Sequence, residues 1–544
     1  MNYDIKKIFP YSSIRDQQQQ AINFALDSIK NEGKKFVVIE AGTGVGKSAI
    51  GLTVARYLCN DTEMVSNKDN GSYFLTTQKI LQDQYVKDFG GFKGAMRSIK
   101  SSSNYTCNFN KKNSCGESLR ALRTAEKGTP FWKSCSFNCV YRKAKESFIS
   151  GSEGVTNFPY FLAETQYSGK LLPKRVMVID EAHNVDAQLS KFIEITISDK
   201  FCKSFLNLSL PSGMTQLQYI NWVSDSYMST ISVKLRHLSK MLEKYVGLKD
   251  KIKSGEFASI AKKFDMLDKH VCKVRRFLEL YDKDNWVMNE IEGDRYTNKK
   301  VEFKPIDIAP YANEMLYSYG DVVIMMSATI LDKDAFAECT GIPLDKTAFI
   351  SLPSPFPIEN RPIVYSGIGK MSSSSINDTM PRMVKAVKEI LAQHKNDKGI
   401  IHCHSYRVAN FLKKNIRSSR LLIHGSDDRD KVLEKHMKSK TATVLVSPSM
   451  SEGIDLKGDL SRFQIICKVP YPYLGDKLIR KKMNKWKWWY SLQTAKSILQ
   501  SVGRSVRSKD DTAITYILDS DFDTFYSRNK HFFPDDFKNS LVGD

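Results

Sequence analysis

A glycine-rich turn directly after an apolar run constrains the fold of this chain more than any other feature. The run Phe36 to Ile39 leads into Ala41-Gly42-Thr43-Gly44-Val45-Gly46-Lys47-Ser48. Glycines let consecutive backbone N–H groups face a phosphate, and the helix that follows adds the positive end of its dipole. The turn therefore predicts a nucleotide-binding loop, formed by residues 42–48, at the carboxyl end of a buried strand.

An acidic box ends a second apolar run later in the chain, where residues 176–179 lead into Asp180-Glu181-Ala182-His183. In such a site Lys47 reaches the β- and γ-phosphates, and the Ser48 hydroxyl and Asp180 hold Mg²⁺. Glu181 polarises the attacking water. Because both boxes follow strands in the order that a phosphate site requires, they predict a motor that hydrolyses ATP with Mg²⁺. An ordinary glycine turn after a strand is the alternative.

The charge of the chain points to a polyanionic partner. Its 544 residues carry a formal net charge of +22. Basic surfaces bind nucleic acid by releasing condensed counterions, so nucleic acid is the expected partner. A surplus scattered over the surface of a basic protein gives the same composition.

Neither export nor membrane contact is expected from the apolar segments. The first ten residues contain no apolar core of a signal peptide, and no run approaches about eighteen uninterrupted apolar residues. We therefore expect a cytoplasmic protein. In a reducing cytoplasm, ten cysteines are not expected to form a disulfide framework.

Four of the ten cysteines are crowded into one basic segment between the two nucleotide boxes. Cys107, Cys115, Cys135 and Cys139 have the spacing C-x7-C-x19-C-x3-C. Four thiolates hold either tetrahedral Zn²⁺ or an iron–sulfur cluster. Zinc modules favour tight pairs, and only Cys135 and Cys139 are close in sequence. The spacing therefore favours a cluster and leaves zinc open.

Alternating strands and helices also organise the second half of the chain. Short apolar runs at 399–402, 443–446 and 463–466 are separated by helical stretches, as a parallel sheet requires. Before them, apolar residues recur at helical spacing between 235 and 278, which predicts an inserted helical module. The basic faces of its helices either touch DNA or are solvated. We predict motor domain 1 from residues 1–95, 155–190 and 305–345, a cysteine-rich insert at 96–154, a helical insert at 191–304 and motor domain 2 at 346–544.

Two further motifs make a family resemblance specific. Residues 451–459 read Ser-Glu-Gly-Ile-Asp-Leu-Lys-Gly-Asp, and residues 500–507 read Gln-Ser-Val-Gly-Arg-Ser-Val-Arg. They resemble motifs V and VI of superfamily 2 helicases, and with the nucleotide boxes the chain resembles the XPD/DinG family. The resemblance covers nearly the whole chain in the family's order. Shorter matches are Phe9-Pro10-Tyr11 followed by Arg15 and Gln18, Asn104-Tyr105-Thr106-Cys107, Ser354-Pro355-Phe356 and Pro470-Tyr471-Pro472.

The resemblance implies a fold, a cofactor and further site residues. The fold is two RecA-like parallel-sheet motor domains with an inserted iron–sulfur domain and an inserted helical arch. The implied cofactor is a [4Fe-4S] cluster, held by Cys107, Cys115, Cys135 and Cys139. Gln18 and Asp455 are implied to contact the nucleotide.

The last motif predicts how the second motor domain completes the nucleotide site. Arg504 and Arg507 are one helical turn apart, so both guanidinium groups are able to project toward the γ-phosphate as arginine fingers. Gln500, one turn earlier, is expected to help sense the nucleotide. Closure of the cleft is expected to be coupled to the nucleic-acid track by Glu452, Gly453 and Asp455.

The implied activity is that of an ATP-dependent DNA helicase that moves 5′ to 3′ on single-stranded DNA. Its expected partners are single-stranded and forked DNA, with the strands parted near the cysteine-rich insert and the arch. One alternative is an ATP-driven translocase or remodeller of protein–nucleic acid complexes, or an RNA-preferring helicase, without strong unwinding. Another is a nucleic-acid-binding scaffold with a structural phosphate site.

Two aromatic or ligating clusters have competing interpretations. Trp486, Trp488 and Trp489 lie among lysines, where they either stack on bases or pack against a domain core. His402-Cys403-His404 suggests a metal, but no second ligand group is evident near it in the sequence. The end of a strand is the better interpretation.

Overall fold

The structure is a computed structural model. It describes residues 3–42, 44–63, 66, 68–91, 96–122, 125–244, 255–293, 298–425, 428–448, 456, 458–503, 505–506 and 510–542. These residues form two parallel seven-stranded sheets and one antiparallel three-stranded sheet. The predicted class, two α/β parallel-sheet domains with inserts, is confirmed.

The strands of the three sheets alternate with helices along most of the chain. In chain order the described strands are β1 (Phe36–Ala41), β2 (Asp69–Thr76), β3 (Met96–Ser98), β4 (Glu153–Asn157), β5 (Lys174–Asp180), β6 (Ile195–Ser198), β7 (Trp286–Ile291), β8 (Lys300–Pro305), β9 (Gly320–Ser327), β10 (Thr347–Leu352), β11 (Ile363–Gly369), β12 (Gly399–His402), β13 (Leu421–Ile423), β14 (Val444–Ser447), β15 (Phe463–Ile466), β16 (Ile514–Asp519) and β17 (Leu541–Val542).

The helices cover both faces of the two parallel sheets and build the inserts. The described helices are α1 (Asp16–Lys30), α2 (Lys47–Asn60), α3 (Lys79–Phe89), α4 (Cys115–Leu122), α5 (Pro130–Phe137), α6 (Val140–Ser150), α7 (Phe158–Ala163), α8 (Val185–Ile193), α9 (Asp199–Phe201), α10 (Gln216–Trp222), α11 (Met228–Glu243), α12 (Gly255–Leu280), α13 (Ala309–Met315), α14 (Lys333–Thr340), α15 (Ile376–Gln393), α16 (Tyr406–Asn415), α17 (Arg429–Lys438), α18 (Lys477–Lys485), α19 (Trp489–Val502), α20 (Asp521–Asn529) and α21 (Asp535–Ser540).

The first sheet brings the two nucleotide boxes to one edge. Its strand order is β10-β1-β9-β5-β2-β4-β3, so β9 lies between the strand of the glycine-rich loop and the strand of the acidic box. Met326 of β9 pairs with Ile39 on one side and with Asp180 on the other. Because parallel strands end at the same edge, this register places residues 42–48 and 180–183 side by side.

The core of the first sheet explains why its strands are continuous apolar runs. One face packs α1 and α2, and the other packs residues of the helical insert, so both faces are buried as parallel sheets require. Leu267, Val271 and Val274 of α12 share one core with Tyr73 and Met177 of the sheet. The helical insert is therefore anchored on motor domain 1.

The second sheet has the strand order β13-β14-β12-β15-β16-β11-β17, and its pairs are parallel. The three apolar runs predicted as buried strands coincide with β12, β14 and β15 within one residue. Its neighbouring helix α15 buries Met380, Met383, Val387 and Ile390 at helical spacing. The sequence pattern therefore predicts this sheet well.

The helical insert contains a sheet that the sequence pattern does not predict. Strands β6, β8 and β7 pair antiparallel in that order and bury Trp286 and Phe303 beneath α12.

Two of the predicted domain limits cut through the first sheet. Strand β3 lies in that sheet although residues 96–154 are predicted as the cysteine insert. Strand β10 pairs in register with β1 although residues from 346 onward are predicted as motor domain 2. Edge strands of this kind are fixed by pairing with distant strands, which local periodicity does not report; the remaining domain limits stay predictions.

Candidate nucleotide site between the two parallel-sheet domains

Backbone conformation and close packing require glycine in the nucleotide loop. Gly44 has φ 87° and Gly46, the residue before α2, has φ 89°. A Cβ added to Gly44 would lie 2.0 Å from Cζ of Phe356, and one added to Gly46 would lie 2.4 Å from Nε2 of Gln18. The loop therefore turns in the left-handed region with other side chains pressed against it.

Gln18 holds the loop from the first turn of α1. Its side chain is 4% exposed, and its Nε2 donates to the Val45 carbonyl at 2.9 Å. Its Oε1 accepts from the backbone N–H of Arg15 at 3.1 Å, and Arg15 Nη1 donates to the Gly44 carbonyl at 2.7 Å. Both predicted nucleotide-contact residues Gln18 and Val45 thus lie at the loop, with the Gln18 amide bonded to its backbone.

Lys47 and Ser48 open α2 directly beneath the loop. Lys47 Nζ donates to the Ala41 carbonyl at 3.0 Å, so the ammonium group folds back over the end of β1. Ser48 lies against the hydroxyl of Tyr85, which also donates to Asp180 Oδ2 at 3.1 Å. Both residues are therefore positioned at the acidic box, as a shared phosphate and metal site requires.

The acidic box is buried and electrostatically strained. Burial is the main cause that raises the pKa of Asp180 to about 6, and the neighbouring charge of Glu181 adds to it. Lys47 and the Tyr85 hydroxyl act in the opposite direction. Glu181 has φ 53°, the left-handed region that non-glycine residues rarely adopt. The buried Asp180 carboxylate beside the partly exposed Glu181 carboxylate is suited to a cation, because a bound cation favours their charged forms.

His183 connects the box to both domains. Its Nδ1 lies 2.7 Å from Ser327 Oγ at the end of β9. The side-chain amides of Asn184 and Gln500 place nitrogen atoms 3.0 and 2.9 Å from its Nε2. Amide nitrogens only donate, so Nε2 accepts and the Nδ1 proton faces Ser327. Gln500, from α19 of the second domain, thus contacts the acidic box of the first.

One cavity of about 870 Å³ collects these groups between the domains. The sequence-predicted residues that line it are Gln18, Gly42, Gly44, Gly46, Lys47, Ser48, Asp180, Glu181 and Gln500. Gly503 lines it as well and ends α19. The predicted residues Thr43, Glu452, Gly453, Asp455, Arg504 and Arg507 lie outside the described residues.

Motif reading missed two residues near this cavity. Arg361 lines it from the second domain, and its Nη1 lies 3.0 Å from Asp536 Oδ2. Its Nε is buried and has no hydrogen-bond partner among the described residues. Tyr85 contacts Asp180 from α3. No sequence signal singles out either residue, since both positions depend on how distant segments pack.

The four crowded cysteines lie close together in the insert. All are less than 7% exposed; Cys115 begins α4, Cys135 lies in α5 and Cys139 precedes α6. Burial and then the nearby thiols of Cys139 and Cys107 raise the pKa of Cys135 to about 11. As placed, no three His, Cys, Asp or Glu side chains of the described residues form a group that could hold a metal ion. Four buried thiols fit the donor set of a [4Fe-4S] cluster and equally that of Zn²⁺.

The two ambiguous clusters have structural roles in the described chain. Trp486 and Trp489 are 3% and 6% exposed, and Trp486 Nε1 donates to Glu338 Oε1 at 2.6 Å. Trp486 thus contacts the first domain, Trp489 is buried, and Trp488 packs against the cluster of Ile363 and Leu492, so the packing interpretation is the better one. His402 ends β12, and burial lowers the pKa of His404 to about 4. A strand end therefore fits this motif.

Comparisons with known proteins agree with this architecture. A family model of the helicase C-terminal domain matches residues 388–540, and one of the type III restriction enzyme res subunit matches residues 11–210. A probable ATP-dependent helicase of Methanocaldococcus jannaschii is 22% identical over 96% of this chain and 94% of its own. The ATP-dependent DNA helicase YoaA of Escherichia coli is 20% identical over 95% and 93%. A solved XPD helicase structure has a TM-score of 0.63 at 18% identity, covering 96% of this chain and 98% of that chain.

A nucleotide loop and an acidic box in one parallel sheet, facing a second parallel sheet across a cavity, define a two-domain RecA-like motor. The helicase C-terminal model matches much of the second domain, and the res-subunit model matches much of the first. The family models, the relatives and the solved structure support the resemblance to the XPD/DinG-type helicases of superfamily 2 that the motifs carry. Across the described residues, every helix is too short or too polar to cross a bilayer.

Proposed function

We propose that this protein is an ATP-dependent DNA helicase that moves 5′ to 3′ on single-stranded DNA and separates forked duplexes. Its main support is one cavity that joins Lys47, Asp180 and Glu181 of the first domain to Gln500 of the second. Relatives named as ATP-dependent DNA helicases support DNA as the track. The proposed compartment is the reducing cytoplasm, where cysteine thiols stay available as ligands.

Hydrolysis begins with the residues of the first domain. Lys47 exchanges the Ala41 carbonyl for the β- and γ-phosphates, and the backbone N–H groups of residues 42–48 cradle the phosphate chain. Ser48 and Asp180 would hold Mg²⁺, which would neutralise charge on the phosphate oxygens. Glu181, fixed in its left-handed turn, polarises the attacking water.

The second domain completes the site when the cleft closes. Arg504 and Arg507 stabilise the charge of the transferred phosphoryl group as arginine fingers. Support comes from the end of α19, since Gln500 already contacts His183 and Gly503 already lines the cavity. Gln500 reports the state of the acidic box through His183, and Glu452, Gly453 and Asp455 couple closure to the DNA track.

The DNA track runs over the basic surface and past the cysteine insert. The insert exposes Phe109 and Phe137 by 51% and 67%, in edge contact with Phe131 and Trp132. Exposed aromatic faces stack on unpaired bases without sequence preference. The net charge of +22 supplies the attraction to phosphates. A fork junction at the insert is therefore part of the proposal.

The insert is proposed to hold a [4Fe-4S] cluster on Cys107, Cys115, Cys135 and Cys139. The four thiols are buried, and neighbouring thiols contribute to the raised pKa of Cys115 and of Cys135, so the four lie close together. The segment has little apolar core of its own, and a cluster bound to all four cysteines would stabilise it. Bound to these cysteines, a cluster would link α4, α5 and the start of α6. Zinc is the competing occupant and is separated by metal analysis.

The deciding experiment measures ATP hydrolysis with and without single-stranded DNA. Lys47→Ala is expected to lose about 100-fold or more of the stimulated rate, because it removes a positioned charge at the phosphates. Lys388→Ala, which changes an exposed lysine of α15, serves as the matched control. Unchanged turnover in Lys47→Ala would refute the mechanism.

Duplex substrates then separate the activities. A helicase of the proposed polarity unwinds a duplex with a 5′ DNA tail and leaves one with only a 3′ tail intact. Displacement of streptavidin from biotinylated DNA without unwinding would identify a translocase or remodeller, and preference for an RNA tail would identify an RNA helicase. DNA binding without DNA-stimulated ATP hydrolysis would favour the remaining alternative, a nucleic-acid-binding scaffold with a structural phosphate site.

A further inference from the structure

The carboxylate of Glu40 joins three segments of the first domain. Glu40 lies in β1, two residues before Gly42. Its Oε1 accepts from the backbone N–H groups of Ile330 and Leu331, both at 2.8 Å. Its Oε2 accepts from the Ser351 hydroxyl at 3.0 Å. Hydrogen bonds to an ionised carboxylate are about twice as strong as neutral ones, so these three bonds hold β1, residues 330–331 and Ser351 together.

The loop at 327–331, which Glu40 holds, is fixed at its start by hydrogen bonds and has a strained backbone at its end. At its start Ser327 Oγ contacts His183 of the acidic box and accepts from the N–H of Thr329 at 3.1 Å. At its end Leu331 has φ 68°, an unfavourable conformation for a residue with a side chain. Such a conformation persists only where neighbouring contacts enforce it, and the two bonds to Glu40 do so.

The same segments lead directly to the second domain. Leu331 and Ala335 pack in a cluster with Ile363 and Leu492 of the second domain. Ser351 is the penultimate residue of β10, and the chain crosses from there to β11 and the second sheet. The Glu40 carboxylate therefore binds two segments that reach the second domain. One is the loop whose Leu331 packs against that domain, and the other is the end of β10, from which the chain continues to β11.

We propose that Glu40 is a positioning residue that couples the nucleotide loop to the second motor domain. Glu40 does not line the nucleotide cavity, so its action is through the loop at 327–331 and through β10. The inference rests on the proposed function and adds a second route beside the His183–Gln500 contact. Movement of β1 on phosphate binding is passed to the cluster around Leu331.

Two substitutions separate geometry from charge. Glu40→Gln keeps Oε1 as acceptor for the two N–H groups, and its Nε2 is able to donate to Ser351, so the tie survives in weaker, neutral form. Glu40→Ala removes both arms and leaves two backbone donors without their partner. Ser351→Ala removes only the arm to β10, and Glu389→Ala on exposed α15 is the surface control.

The first measurement is the number of base pairs unwound per ATP, with the KM for ATP recorded beside it. Glu40→Ala is expected to lower this ratio about tenfold, the size of a typical coupling change. Glu40→Gln is expected to stay within about threefold of wild type, since a neutral hydrogen bond replaces a charged one. A wild-type ratio in Glu40→Ala, or an equal loss of basal hydrolysis and unwinding, would overturn the proposal.

Amide hydrogen exchange tests the tie independently of helicase activity. Glu40→Ala is expected to speed exchange in residues 328–340 and also in residues 489–500 of the second domain, and Glu40→Gln to restore protection in both. Faster exchange confined to 328–340 would overturn the proposal, because the effect would stop inside the first domain. Wild-type protein without stimulated hydrolysis would reject the proposed function, while the exchange result would still decide the role of Glu40.

Discussion

Replacing Gly44 by alanine tests whether the nucleotide loop and the segment between the two sheets act as one unit. Gly44 is at φ 87°, and a Cβ there would lie 2.0 Å from Cζ of Phe356. Phe356 is 8% exposed and packs with Val506 and Ala513 of the second domain. The added methyl group therefore disfavours the left-handed conformation of the loop and collides with the Phe356 ring in its present position.

The size of the effect follows from these two costs. A left-handed conformation costs a residue with a Cβ about 1–2 kcal/mol. Displacing the buried Phe356 ring costs about 1.5–3 kcal/mol more. Without nucleotide, the loop of the variant avoids both costs by adopting another conformation. Phosphate binding requires the left-handed turn, so the costs return when ATP binds. The penalty of roughly 2.5–5 kcal/mol therefore appears as a loss of about two orders of magnitude or more in ATP affinity.

The assay is titration of a non-hydrolysable ATP analogue against Gly44→Ala, Phe356→Ala and the double variant. In the Phe356→Ala background the alanine at 44 costs only the backbone strain, about 1–2 kcal/mol. Gly33→Ala is the control, because Gly33 has φ 65° with nothing within 4 Å of an added Cβ, and it lies away from the loop. An equal loss of affinity from Gly44→Ala in both backgrounds would refute the reasoning.

Two further outcomes are expected. Cys135→Ser is expected to lose bound iron and the colour of anaerobically purified protein together with unwinding, while Cys272→Ser on α12 keeps them; stoichiometric zinc without iron in the wild type would contradict the cluster. Arg361→Ala is expected to weaken ATP binding by about 10- to 100-fold, because it removes a charged donor from the cavity. Asp536→Asn, which frees that guanidinium group, is expected to strengthen binding, and unchanged affinity in both variants would exclude Arg361 from the site.

Local sequence patterns predict strands, helices and turns, and the parts of the candidate site that lie in such elements are therefore predictable from the sequence. The glycine turn, the acidic box and the runs of β12, β14 and β15 are each specified within about ten residues, by periodicity and by turn chemistry. The order of two α/β units along the chain then brings Lys47 and Asp180 to one sheet edge. Burial of both faces makes these strands easy to identify.

Side-chain contacts between distant segments are not specified in this way. Glu40 and Ile330 are 290 positions apart, and Gln500 and His183 are 317 apart. A motif nevertheless predicts Gln500, whereas Glu40, Tyr85 and Arg361 belong to none of the motifs in the sequence. The sequence does not predict strands β6, β7 and β8 for a related reason, since their pairing lies inside a segment dominated by helical periodicity.

Two of the contacts between the motor domains differ in strength, and the weaker of these two lies at the nucleotide cavity. Beside the cavity, Gln500 and His183 share a neutral hydrogen bond, worth about 1 kcal/mol. At α18, Lys482 is 4% exposed and lies 2.7 Å from Asp186 of the first domain, and Trp486 donates to Glu338. A small displacement that parts these groups while Lys482 is still buried costs about 3–5 kcal/mol, because its charge is then left unpaired away from water, whereas Asp186, 21% exposed, is already partly solvated. We therefore expect the domains to stay joined at α18 during small movements, and the binding energy of a nucleotide to act on the cavity side, at Gln500, the loop at 327–331 and Phe356.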